Sequence, residues 1–354
     1  MQKPFTRTYS GSKHIVSYMA AFIFLIAAML IGISIGTVRV PTGDIISIIG
    51  RSVLNLQPGK DIDPMFTNIV MNIRLPRVLL AGLVGASLAI AGAAFQGLLR
   101  NPLADPYTLG VSSGASVGAV VTLFFQITLP FAGLFTLPLL SIVSAFGTIM
   151  LVVFFARSID RAMRVETIIL TGIIFSSFLG ALISLIIALS GEELRQIIGW
   201  LLGSVSMRGW SYIYIMLPFT LIGSLILFLN ARELNAMSFG EERARHLGVN
   251  VSRRKYAVLA AGSMLTGAAV AVSGTIGFVG LVIPHLTRLI WGPDHKHLIP
   301  LSTLIGAGFL MLADLAARMI IQPAELPIGV ITAMIGAPVF AAILVKRRME
   351  SRGS

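Results

Sequence analysis

The sequence predicts an all-α, polytopic membrane protein with about ten transmembrane helices, and three observations carry that reading. The first is composition: of 354 residues, 56% are hydrophobic and only 12% are charged. A mean hydropathy of +0.89 is too high for a soluble core under a polar surface. The second is a succession of apolar runs of spanning length, near 15–36, 75–99, 107–127, 134–156, 168–189, 212–229, 256–273, 276–290, 298–321 and 328–345, with a shorter run at 197–205. The third is where the charge lies. If the N-terminus is cytoplasmic and the short run does not cross, 19 of the 27 Lys and Arg residues fall on the cytoplasmic side, whereas only 9 do if it crosses. The positive-inside tendency therefore favours both termini in the cytoplasm and a short run lying at the outer surface. The net charge of +12 follows from topology; nucleic-acid binding would gather the cations in a soluble basic module, and there is none.

The chain reads as a single transmembrane domain over 1–354. Its first run is longer than a signal-peptide core and is not followed by a small-residue cleavage site, so it reads as a retained span. Residues 38–72 form an external loop, partly ordered, containing Pro58 and Gly59. The second span holds the octet Gly85–Gly92 and the seventh holds Gly267–Gly274, alike in composition and opposite in direction. That is the pattern of an inverted repeat, common among transporters. Small residues in such helices let backbones approach closely, as Gly114 and Gly118 do in a GxxxG spacing. After the second span, Asn101-Pro-Leu-Ala-Asp-Pro106 stops any helix at the inner face. Gly274, Gly277 and Gly280 leave almost no loop between the seventh and eighth spans, and His285 in the eighth reads as a hydrogen-bonded packing residue.

Residues 230–255 are the one long polar stretch between two spans. Ser238 and Glu241 are spaced for a capping box, Glu241 and Glu242 stand where a helix dipole favours anions, and Arg243, Arg245 and His246 where it favours cations. Gly248 supplies a left-handed stop. The spacing predicts a short rigid helix outside the bilayer, available to a partner, since each Arg or Glu at the centre of a span would cost about 2.5–3.5 kcal/mol.

Catalytic chemistry is not expected. There is no cysteine, so neither a disulfide framework nor a thiolate metal site is expected. Gly59-Lys60 lacks the rest of a phosphate-binding loop, and no HExxH or nucleophile elbow occurs. Arg74, Arg77 and Arg318 are cations on the side that the charge rule disfavours. Singly they read as lipid anchors, and together as a surface for an acidic external partner. Asp314, one turn before Arg318, fits a local ion pair.

Five segments carry a resemblance: IRLPR at 73–77, NPLADPYTLGVSSGASVG at 101–118, GEERARHLG at 240–248, SGTIGFVGLVIPHLTRL at 273–289 and ADLAARMIIQPAELPIGVITAMIGAPVF at 313–340. In this order they resemble the bacterial permeases of the type II ATP-binding-cassette (ABC) importers that bring ferric siderophores, haem and cobalamin across the plasma membrane. The resemblance implies two ten-span permease subunits around a central path, two cytoplasmic ATPase subunits that use the ATP, an external substrate-binding protein, and no cofactor held by this chain. It implies that Arg74, Arg77 and Arg318 receive acidic residues of the binding protein. It also implies that Ser238, Gly240, Glu241, Glu242, Arg243, Arg245, His246, Leu247 and Gly248 form the element that couples to the ATPase. Residues 197–205 resemble a non-spanning helix near the outer mouth, and Asn101 and Leu103 match positions near the cytoplasmic gate. Val165 and Glu166 stand where the cobalamin permease carries small hydroxyl residues. An ion-coupled secondary carrier is the alternative; it would place carboxylates deeper than Asp314 and Glu325.

Overall fold

A computed structural model describes residues 11–36, 38–54 and 62–352; Pro58, Gly59, Lys60 and Ser354 lie outside them. Every regular element described is helical. Ten apolar helices correspond to the ten predicted runs: α1 (Gly11–Ser34), α4 (Leu75–Leu98), α5 (Val111–Phe124), α6 (Thr136–Ile159), α7 (Val165–Leu189), α9 (Gly209–Leu229), α12 (Val251–Ser273), α13 (Val279–Trp291), α14 (His295–Met319) and α15 (Ile328–Arg352). Among the described residues, seven helical segments are long and apolar enough to cross a bilayer, and the apolar parts of α5, α13 and α15 are shorter. The chain is a multi-pass membrane protein.

In the described part of the predicted external loop, α2 (Thr42–Leu54) and α3 (Pro64–Asn68) precede a wide π turn, Ile69–Arg74. In that turn the Leu75 amide reaches back to the Val70 carbonyl. It lies directly ahead of Pro76, which cannot donate to residue 72 and pushes that carbonyl aside. The short run forms α8 (Leu194–Leu201). The chain after it stays at the same end of the bundle, where Ser204 donates to the Ser273 carbonyl and Ile328 to that of Gly203. Gln126, just past α5, bonds Glu193 beside α8. So α8 does not cross, as the charge count requires.

Helix α4 is the axis. Nearly all of its residues are buried, and α14, α12, α9 and α13 surround it. Lipid gives apolar side chains no reason to seek one another, so close backbone packing holds these helices together. A Cβ on Gly85 would come within 2.2 Å of the Gly306 carbonyl oxygen, and one on Gly92 within 1.8 Å of that of Gly280. Both glycine octets thus lie in the two most enclosed spans, α4 and α12.

The structure corrects the predicted third span. It does not start at residue 107: Pro106–Leu109 is a separate 3₁₀ turn, and α5 begins at Val111 after Gly110, whose φ is +82°. This turn is not at the inner surface. Thr108 and Leu109 pack on Gly172, and Pro106 on Gly280, a turn or more inside the bundle. On the other side, residues 274–278 are also non-helical, with Phe278 at φ +67°. Each glycine octet is thus followed by a broken segment, and Pro106 of the first packs beside Gly280, in the first turn of α13 just after the second. Irregular backbone at this depth is tolerated because protein, not lipid, surrounds it.

Candidate functional site

Two polar regions lie at opposite ends of the bundle, outer and inner by the topology expected from charge. At the outer end, Arg74, Arg77 and Arg318 converge as predicted, but on the chain's own groups. Arg77 donates to both oxygens of Asp314, with its closest contact 2.9 Å, to both oxygens of Glu325 at 2.8 and 3.0 Å, and to Ser206. Arg318 pairs with Asp314 at 3.2 Å and donates to the Gly32 carbonyl; the local ion pair expected from spacing is present. Arg74 is buried and directs its guanidinium to the carbonyls of Ile33, Ser34 and Val38. It caps the last turn of α1. Asp314 is fully buried, and the side chains of Arg77 and Arg318 are about nine-tenths covered.

Arg77 and Arg318 are thus already paired with two carboxylates of the chain itself, and Arg74 with α1 carbonyls. A cleft of about 140 Å³ opens onto this cluster between Gly36, Ile73 and Gln322. The hydrogen bond from Arg77 holds the Glu325 carboxyl below its ordinary range. A depressed acid contributes its pairing fully above its unfolded value, about 4.3, and loses it as pH falls through the lower folded value. The outer end is accordingly expected to loosen as pH falls below the ordinary glutamate range, read as protease sensitivity of residues 320–327, and Glu325→Gln removes that dependence.

At the inner end the polar stretch is two helices, α10 (Ala231–Ser238) and α11 (Glu241–His246). The predicted capping box does not form. Ser238 belongs to α10, where its hydroxyl donates to the Leu234 carbonyl, and Gly240 at φ +111° redirects the chain so that it, not Ser238, precedes α11. The C-terminal prediction holds: Gly248 has φ +83°, its amide donates to Arg245 and that of Val249 to Ala244, a Schellman arrangement. Ala244 is buried while Glu242, Arg243, Arg245 and His246 face outward. Phe239 and Leu247, 68% and 70% exposed, flank the charged surface.

This helix closes one side of an open cleft of about 600 Å³. Opposite it are Ala162, Arg164, Val165 and Glu166 at the α6–α7 turn, with Arg100 from the end of α4. The cleft thus gathers Gly240, Glu241, Glu242, Arg243 and Arg245 with the gate candidates Val165 and Glu166. Asn101 and Leu103 are next to Arg100 but do not line it; the Asn101 side chain accepts from the Leu103 amide in a tight turn. The α6–α7 turn is stiff, because Asp160 accepts from the amides of Ala162 and Arg164 and from the Arg164 guanidinium. Those bonds, the Arg164 side chain foremost, hold its carboxyl down at about 2.

The sequence reading missed Lys255. It is buried at the start of α12, with Nζ 2.6 Å from Glu241 Oε1 and 2.7 Å from the Met163 carbonyl. It closes the basic triplet Arg253–Lys255 directly ahead of the apolar run, and nothing in the sequence sets it apart from its two neighbours. Further ties place the same end together: Asn235 bonds Asp294 and His295, Arg254 bonds Asn230 and Glu233, and His14 stacks on His297. The start of α1, the α6–α7 turn, the polar stretch and the start of α14 therefore share one end. Among the described residues no group of three or more His, Asp or Glu is arranged to hold a metal ion.

The permease protein YvrB of Bacillus subtilis (strain 168), an uncharacterized ABC transporter permease, is 59% identical over 99% of both chains. The cobalamin import permease BtuC of Halobacterium salinarum is 42% identical over 80% of this chain and 75% of its own. A solved structure described as an inward-facing conformation of a transporter assigned to the metal-chelate ABC type superposes with a TM-score of 0.81 at 33% identity, covering 94% of this chain and 99% of that one. The FecCD transport family model matches residues 24–346. With ten apolar helices around a buried glycine-rich axis and a charged helix held outside them, the chain belongs to the FecCD transport family of ABC permeases.

Proposed function

We propose that the chain is the membrane subunit through which a separate cytoplasmic ATPase drives uptake of a metal chelate of the ferric siderophore, haem or cobalamin class. The observation that carries this is the inner surface of α11, a rigid charged helix flanked by exposed Phe239 and Leu247 beside a large open cleft. Apolar anchors within a charged rim are the features of a protein-docking surface. The ATPase seats on Phe239–Gly248 and hydrolyses the ATP. A substrate-binding protein docks at the other end, where the Arg74, Arg77 and Arg318 cluster keeps one net positive charge beside its cleft. A second permease subunit completes the path, using the sparsely covered face of α7, of which only Val165, Ile168, Thr171 and Gly172 are buried. The cargo class rests on the cobalamin permease among the relatives and on the metal-chelate type of the solved structure.

This assignment puts the α11 end in the cytoplasm of the bacterial cell, with both termini. In intact cells an impermeant thiol reagent is expected to label Ser47→Cys and to leave Ser252→Cys unlabelled until the membrane is opened. Labelling of Ser252→Cys from outside, with Ser47→Cys protected, reverses the orientation and removes the ATPase from α11. Cysteine replacement is clean here because the chain has none of its own.

A further inference from the structure

We propose that Lys255 is the positioning residue that carries movement of α11 to the start of α7. The inference rests on the reading of α11 as the ATPase seat. Its ammonium contacts Glu241, the first residue of α11, at 2.6 Å and the Met163 carbonyl of the α6–α7 turn at 2.7 Å. The side chain is 3% exposed, so water does not replace either partner, and removing one leaves a buried charge unmatched. Met163 is itself buried, in the left-handed region at φ +48°. Two residues later α7 begins at Val165.

The turn beyond the contact behaves as one body, because Asp160 binds the Ala162 and Arg164 amides across it. Helix α12, from which Lys255 projects, is enclosed along most of its length. Its lysine stem is a flexible four-carbon arm, and the ammonium at its tip follows Glu241 while keeping hold of Met163. Helix α7 is little covered by the rest of the chain and resists displacement least. The neighbouring bond from Arg157 to Tyr256 joins α6 to α12 and bypasses α11, so it is no substitute. The Lys255 ammonium thus touches both α11 and the α6–α7 turn. Helix shifts of about 1–2 Å suffice for switching between packed arrangements, and a buried ammonium between two oxygens transmits shifts of that size.

The test uses the complex as purified with its ATPase, carrying a single nitroxide at either His246→Cys on α11 or Arg161→Cys on the turn, both exposed positions. In the wild-type background, trapping with ATP and vanadate is expected to change the spectral line shape at both labels. With Lys255→Met the change at residue 246 persists and the change at 161 is lost. Lys255→Gln, which keeps a donor for one oxygen but no charge, is the second variant should Lys255→Met fail to assemble. If residue 161 responds as fully without the lysine as with it, or is silent in the wild type while 246 responds, the proposal is overturned. Silence at residue 246 in the wild type refutes the ATPase seat itself, a separate outcome.

Discussion

Replacing Ala244 by proline is expected to abolish ATP-driven transport while leaving the membrane bundle assembled. Ala244 is buried at the centre of α11, and its amide donates to the Gly240 carbonyl at 3.0 Å. Proline removes that bond and its ring clashes with the same carbonyl, at a cost of about 3 kcal/mol. A helix of six residues has no other turn over which to spread the strain. The spans do not depend on α11, because they are held by glycine-mediated backbone packing around α4. The variant should therefore insert normally and lose either ATPase association or the stimulation of hydrolysis by loaded binding protein. Transport at the wild-type rate by reconstituted Ala244→Pro would reduce α11 to a solvated connection.

The second large effect is at the outer end. Arg77→Glu sets a third carboxylate beside Asp314 and Glu325 and deletes the main partner of a fully buried aspartate. Breaking a buried pair from one side typically costs about 3–5 kcal/mol, and the added like charge increases it. The purified variant should unfold at a markedly lower temperature than wild type, with the outer ends of α4 and α14 most open to protease. The neutral double variant Arg77→Gln, Asp314→Asn should recover part of the loss, since it removes both members of the buried pair and leaves Arg318 and Glu325 as opposite charges in the same cluster. If that stable double variant also binds the external partner normally, the cluster serves the fold and not docking. An Arg77→Glu protein as stable as wild type would contradict the geometry.

Much of the fold was legible because membrane-length apolar runs and one-sided charge are strong constraints, and α8 shows their reach: counting Lys and Arg put it outside the membrane before any contact was known. The Pro106–Leu109 turn was not legible. Its sequence says only that a helix stops, whereas its depth is set by Gly172 and Gly280 on distant helices. The capping box at Ser238 failed for a related reason. The Ser–x–x–Glu pattern is local, but the bend at Gly240 belongs to the junction of two helices. At the outer end the Asp314–Arg318 pair was legible from its helical spacing, whereas the Arg77–Glu325 pair was not, because those residues are 248 positions apart. Lys255 shows the same limit. Its partners come from α11 and from the α6–α7 turn, and only folding brings them together.

The central claim is that an ATPase drives this permease through α11. Its most direct test is a photo-crosslinking residue at Glu242, exposed on α11, compared with one at Glu192, exposed at the opposite end, in cells taking up cobalamin, haem or a ferric siderophore as labelled probe. The account predicts that position 242 captures an ATP-binding subunit and position 192 does not, and that uptake stops when ATP is depleted while the proton gradient is maintained. Uptake that persists without ATP, collapses with the gradient, and leaves position 242 without an ATP-binding partner would contradict it and point to an ion-coupled carrier.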